Sequence, residues 1–201
     1  MAARRRIVMF NRVSADGYFS APDGGLDWTV PDEELDKAGA REASGAGTIL
    51  FGRRTYDMFE SFWPTAVDDS PTARDPHAPR HSPEIRAMGV WINQATKLVF
   101  SRTRKDVTWT NSRLLREIDP REIEALKRQA DTDIMIFGSG TIVSQLTRHR
   151  LIDEYRLIVN PVLLGRGNLI FKGLEEKTPL ELVELTKYPS GNVMFRYALG
   201  Q

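Results

Sequence analysis

The sequence predicts an α/β fold built around a mixed sheet, on three observations. Short apolar runs rich in β-branched and aromatic residues recur along the chain, as expected of strands buried on both faces. Stretches with helix-capping signals separate them. The last segment instead alternates apolar and charged residues on either side of Pro189-Ser190-Gly191-Asn192, the pattern of an antiparallel hairpin at a sheet edge.

Taken in order, Ile7 to Phe10 is the first strand, and a helix is expected over Asp32 to Ser44, where Pro31 precedes an acidic turn and Glu33 stands four residues before Lys37. Thr48 to Phe51 is the second strand. From Phe62 to Asn93 periodicity fades, and prolines at 64, 71, 76, 79 and 83 argue against a long helix or central strand across most of it. Residues 62–93 are therefore expected to be an insertion or lid within one domain, anchored by Phe62, Trp63, Met88 and Trp91 over a pocket or a partner chain. Lys97 to Phe100 is the next strand. Asp119 to Ala130 is the clearest helix: Asp119 caps, Pro120 fits the first position, and Glu122 completes a capping box ahead of Ile123 and Leu126. Ile134 to Phe137 and Leu157 to Val159 are strands, with a helix over Gly140 to Arg150 between them; Leu180 to Tyr188 and Val193 to Leu199 form the hairpin.

Composition excludes several functions. A chain of 201 residues supports one substantial core, and 28 basic against 27 acidic residues create no global field for nucleic acid or an anionic membrane. Without cysteine there are no disulfides, thiolate metal sites or cysteine nucleophiles. The opening MAARRRIVMF is too short in apolar residues for a signal-peptide core or a membrane span, so a cytoplasmic protein is expected. His77 and His81 have the spacing of a helical metal pair, but Pro79 between them opposes the helix, and no metal is expected.

Three strand ends carry the chemistry. IMIFGSGT breaks at Gly138 and Gly140 just where a helix begins, so its backbone can approach a phosphate under the positive end of the helix dipole; it can equally be a sharp corner. The dinucleotide fingerprint of doubly wound folds fails, because its third glycine is Val143 and Arg156 and Leu157 stand where an acid would hold a ribose. TILFGRRTY repeats the strand, glycine and polar helix start, now with Arg53 and Arg54, and KLVFSR ends in Ser101 and Arg102. Side by side, these ends would form a groove for a pyrophosphate and one further phosphate, for which NADPH is the economical ligand. Alternatively the arginines are solvated surface charges.

FGRRTYDMF resembles the Gly-Arg-x-Thr-aromatic segment of dihydrofolate reductases, and IMIFGSGTIVSQL resembles their strand, glycine turn and helix. VSADGY, and LIDE followed by PVLLGRG, resemble the reductase domain of the bifunctional riboflavin-pathway deaminase-reductases. The resemblance implies a dihydrofolate-reductase-like three-layer fold: a mostly parallel mixed central sheet flanked by helices, with a C-terminal antiparallel hairpin. It implies an NADPH-dependent reductase that delivers hydride to a small heterocyclic or imine-type substrate, pterin-like or ribosylamino-pyrimidine-like. Carried over by position, Gly52, Arg53, Arg54 and Thr55 would receive the adenine-side phosphates, Ser101 and Arg102 the ribose phosphate, Gly138, Ser139, Gly140 and Thr141 the pyrophosphate, and Gly17 would lie near the nicotinamide.

A proton source is also required. The resemblance places it shortly after Trp28-Thr29-Val30-Pro31, where Glu34, directly before Leu35, fits best, or at Asp16 by the riboflavin-pathway pattern. The first is otherwise part of an acidic turn suited to the helix dipole and the second an ordinary turn aspartate. Asn11, Tyr18 and Trp28 are pocket walls or ordinary structure. No deaminase half with zinc ligands accompanies these residues, so the bifunctional riboflavin enzyme is not expected. An NADP-binding sensor or partner-binding module without catalysis is the alternative; a nucleic-acid binder using Arg4 to Arg6, Arg102 and Arg104 is opposed by the balanced charge. Related reductase domains commonly pair, so a homodimer is expected, with the edge hairpin and Trp109 as a candidate interface.

Overall fold

The structure is a computed structural model and describes residues 4–43, 45–67, 82–129 and 132–200. Its centre is an eight-stranded sheet. In chain order the strands and helices are β1 (Ile7–Ser14), β2 (Tyr18–Ser20), α1 (Glu33–Ala43), β3 (Ala46–Gly52), α2 (Arg53–Phe62), α3 (Pro83–Gln94), β4 (Thr96–Phe100), β5 (Ser112–Leu115), α4 (Pro120–Lys127), β6 (Asp133–Phe137), α5 (Gly140–Arg148), β7 (Glu154–Asn160), β8 (Asn168–Leu169), β9 (Leu180–Lys187) and β10 (Val193–Leu199). The sheet runs β5-β4-β3-β6-β1-β7-β10-β9, parallel through β7 and antiparallel from there, while β2 and β8 form a separate two-stranded piece.

Both faces of the parallel strands are buried, which is why their sequences read as continuous apolar runs. Ile7, Met9, Leu50, Ile134 and Ile136 pack beneath α5 on one face with Ile142, Val143 and Leu146. Val8, Ile49, Phe51 and Met135 point the other way and pack with Tyr56, Ile92 and Trp109. The period of two thus divides each run between two cores, giving three layers.

The register positions the site. Gly52 lies opposite Phe100, one residue before Ser101, and Leu50 lies opposite Ile136, so β3 and β6 leave the sheet together at Gly52 and Gly138.

Two expectations change. Within 62–93, α3 forms because Pro83 occupies its first turn, where a missing amide costs nothing, and the Ser82 hydroxyl accepts from Ile85 N. The prolines at 71, 76 and 79, with His77 and His81, lie outside the described residues. Trp109 does not stand at the C-terminal hairpin. It is buried among Phe51 and Tyr56, at the opposite end of the sheet from β9, and its Nε1 donates to Asn93 Oδ1 at 2.6 Å.

Candidate active site

A cleft of about 1910 Å³ runs along the C-terminal ends of β1, β3, β4 and β6. All three strand ends singled out in the sequence line it: Gly52 to Thr55, Ser101 with Arg102, and Gly138 to Thr141. They are neighbours because β4, β3 and β6 are adjacent and parallel.

Two helices open onto this wall. α2 begins at Gly52 and α5 at Ser139, and neither N-cap side chain satisfies the first-turn amides, which leaves donors and positive dipole ends at the cleft. The backbone there is crowded. A Cβ on Gly52 would sit 2.0 Å from Ser139 Oγ, and one on Gly138, whose φ is +57°, would sit 2.8 Å from Thr55 Oγ1. Ser139 is itself left-handed at φ 56°. These contacts hold the two turns against each other and leave bare backbone facing the cleft.

The cations are not equivalent. Arg54 and Arg102 are exposed and make no ion pair among the described residues, whereas Arg53 reaches Asp57 at 3.7 Å. Arg104 is fixed by Asp57 and Glu60 and lies over the Tyr56 ring at 4.7 Å. Ser101 shapes the turn: its Oγ accepts from Thr103 N at 3.3 Å and Arg104 N at 2.9 Å. Arg116, which also lines the cleft and which no sequence motif marked, donates to the carbonyls of Ser101 and Arg104 at 3.3 and 2.6 Å. Two uncapped helix starts, two glycines without room for a side chain and two guanidinium groups without a carboxylate partner fit a dinucleotide carrying an additional phosphate.

The other expected residues divide. Asn11 lines the cleft, is 5% exposed, and its Nδ2 has no hydrogen-bond partner among the described residues. Tyr18 and Trp28 are not among the lining residues; Tyr18 pairs with Leu169 across β2 and β8. Gly17 lines a separate apolar depression of about 260 Å³ with Leu157 and Phe171.

Asp16 also lies away from the cleft lining. Its carboxylate accepts from Ser14 Oγ at 2.6 Å, Gly165 N at 2.7 Å and Leu164 N at 3.1 Å, which ties the turn after β1 to the LLGRG loop. The Ser14 hydroxyl and the two amides hold this carboxyl below its ordinary value. A lowered folded-state value means stabilisation that is present above the unfolded value and lost as the pH falls through the folded one. Asp16→Asn is therefore expected to melt below the wild type at neutral pH, with the difference narrowing as the pH drops below about 4; thermal melts by circular dichroism between neutral and acid pH measure it.

Three of the four acids near the start of α1 have structural partners. Glu34 is exposed and outside the lining. Glu33 pairs with Lys37 at 2.5 Å, and Asp36 with Arg12 at 2.7 Å. Asp32 caps α1 by accepting from Leu35 N at 3.0 Å and also accepts from Ser190 N at 3.0 Å. The Ser190 hydroxyl, followed by the Leu35 amide, keeps it below the usual range. The sequence marked Phe62 and Trp63 as anchors over a pocket or a partner chain but not the aromatic wall they form along the cleft with Phe10, Phe59 and Phe137. Its signal was there, since Phe59, Phe62 and Trp63 recur at helical spacing.

The sequence matches the RibD C-terminal domain family over residues 5–194. The uncharacterized protein YyaP of Bacillus subtilis (strain 168) is 26% identical over 198 residues, covering 96% of this chain and 95% of its own length. A solved structure from Shewanella sp. PV-4, assigned to riboflavin biosynthesis, superposes with a TM-score of 0.72 at 20% identity, covering 98% and 99% of the two chains. Enterococcus faecalis dihydrofolate reductase, solved with NADP(H), gives 0.62 at 13% identity over 98% and 97%. No helix among the described residues is long and apolar enough to cross a membrane. The chain therefore belongs to the RibD C-terminal domain family, and its fold is shared with dihydrofolate reductase.

Proposed function

We propose that this protein is a cytoplasmic NADPH-dependent reductase that transfers hydride to a small heterocyclic or imine-type substrate. The observation that carries this assignment is the meeting of three strand ends, each with anion donors, at one wall of one cleft. Gly138 to Thr141 would receive the pyrophosphate beneath α5, and Arg54 and Arg102 the ribose phosphate. When bound, NADPH supplies the hydride. The chain supplies position and dryness: the aromatic wall keeps water from the reacting edge, and the proton comes from solvent, since Asp16 and Asp32 are tied as acceptors and Glu33 and Asp36 are paired. Two copies are proposed to pair through the open edge of β9, where Leu182, Val183 and Leu185 stand exposed.

The commitment of Asp32, Glu33 and Asp36 to partners, with Glu34 outside the cleft lining, favours a second reading, an NADP-binding sensor that does not turn over. Binding tests both. A ligand held only by the folded state raises the melting temperature, and NADPH is expected to raise it more than NADH at equal concentration. The double variant Arg54→Ala, Arg102→Ala should reduce the NADPH response to that of NADH. No response to either at millimolar ligand would remove the cofactor from both readings.

A further inference from the structure

Arg116 lines the cleft although no motif marked it, and its place follows from the register of the outer strands. Phe100 of β4 lies opposite Leu115 of β5, so Ser101 and Arg116 are the next residues on two parallel neighbours and leave the sheet side by side. The Ser101 amide donates to the Leu115 carbonyl at 2.9 Å. Arg116 Nη1 donates back, to the carbonyls of Ser101 at 3.3 Å and Arg104 at 2.6 Å. One guanidinium thus closes both ends of the 101–104 turn.

The same turn is held from two further directions. Inside it, Ser101 Oγ accepts from the amides of Thr103 and Arg104. Outside it, Arg104 pairs with Asp57 and Glu60 of α2 and lies over the Tyr56 ring, so its charge is already matched. Arg102 stands between these anchors, exposed, in the cleft lining, and without an ion pair among the described residues. The Arg104 carbonyl lies at the surface, where water could satisfy it, so the Arg116 contact adds order to the turn more than stability to the fold. That order matters to an anion site. A cation on a loose turn loses chain and rotamer freedom when it fixes a ligand, and a turn ordered beforehand removes the chain's share of that cost.

Resting on the cofactor reading of the cleft, we infer that Arg116 is a positioning residue for cofactor selection: it fixes the 101–104 turn so that Arg102 meets the additional phosphate of NADPH, the group that NADH lacks. Arg116 acts through Arg102. The consequence is coupling between the two. Removing Arg116 matters only while Arg102 is present, whereas two guanidinium groups that each touched the phosphate would contribute additively.

Calorimetric titrations of the wild type, Arg116→Met, Arg102→Ala and the double variant with NADPH and with NADH close this cycle. Arg54 remains in all four, so a residual preference for NADPH stays measurable. Arg116→Met is expected to lower the ratio of the two affinities at least about threefold with NADH binding unchanged, and to change it less than about 1.5-fold where Arg102 is already alanine. Arg116→Gln, which also removes the charge and the fork, serves if the methionine variant does not fold. A purely structural role would weaken both nucleotides together and leave the ratio intact, which overturns the inference. Additive loss in the double variant overturns it as well, because it puts Arg116 itself on the phosphate. A wild type that binds neither nucleotide, or both equally, overturns the cofactor reading instead, and the wild-type titrations alone reveal that failure.

Discussion

Gly138→Val is expected to abolish the response to NADPH and to lower the melting temperature by roughly 5–15 °C. The backbone at Gly138 is left-handed at φ +57°, which costs an L-residue about 1–2 kcal/mol, and β-branching raises that cost. The added Cβ meets Thr55 Oγ1 at 2.8 Å, and overpacking of this kind costs about 1–3 kcal/mol more. In a chain of this length each kcal/mol moves the midpoint by about 2–4 °C. Relief comes only by pushing Thr55 and the start of α2 away from the α5 turn, which opens the wall where the anion donors converge. Gly17→Ala is the control: its φ is +89°, but nothing lies within 4 Å of the added Cβ and it does not line the cleft. It should cost stability and leave the NADPH response intact. Melts of the two variants with and without NADPH decide the matter; a full NADPH response in Gly138→Val would sink the phosphate-cradle account.

Lys97→Met is expected to cost about 3 kcal/mol or more. Lys97 is fully buried, and its ammonium donates to the carbonyls of Ile92, Ala95 and Asn93 at 2.7, 2.7 and 3.1 Å, closing the C-terminal end of α3. It also stands 4.6 Å from the Trp109 ring centroid. Methionine fills the space but leaves three buried acceptors without that donor, at about 1–3 kcal/mol for each one water cannot reach. Burial pushes the ammonium down to about 8, while the carbonyls and the indole favour its charged form. With the folded-state value below the unfolded one, the unfolded chain binds more protons between them, so wild-type stability gains from this group as pH rises from about 8 to 10.5. Lys97→Met lacks that gain. Urea titrations of both proteins across that range measure the cost and the slope; a difference below about 1 kcal/mol at neutral pH would show that Lys97 does not hold α3.

The parallel strands were legible because burial on both faces writes them as uninterrupted apolar runs, and the glycine turns because each follows such a run. β7 was read as Leu157 to Val159 but spans Glu154–Asn160. Its first turn of sequence looked polar because Glu154 and Arg156, both buried, satisfy each other across 2.5 Å, which no local pattern reveals. α3 was hidden by prolines whose meaning depends on position, since Pro83 starts a helix that an interior proline would break. β5 is four residues long and gains its place only by pairing with β4. At the site, the wall proposed to receive phosphate could be named at Gly52, Gly138 and Gly140 because the crowded backbone demands glycine there. The acids could not, because a carboxylate in a sequence does not show its partner: Asp16 is spent on Ser14, Leu164 and Gly165, and Asp32 on Leu35 and Ser190. Asn11 carried no motif, and its reading as a pocket wall or ordinary structure left open what the structure shows, a place in the cleft lining.

The most direct measurement is a calorimetric titration of the wild-type protein with NADPH and, separately, with NADH. The expected result is one site per chain with NADPH bound at least about tenfold more tightly, the margin that two guanidinium groups facing an additional phosphate supply. Equal affinities would mean that Arg54 and Arg102 are only solvated surface charges, and no heat with either ligand at millimolar concentration would mean that the glycine turns at Gly52 and Gly138 are corners of the fold and nothing more.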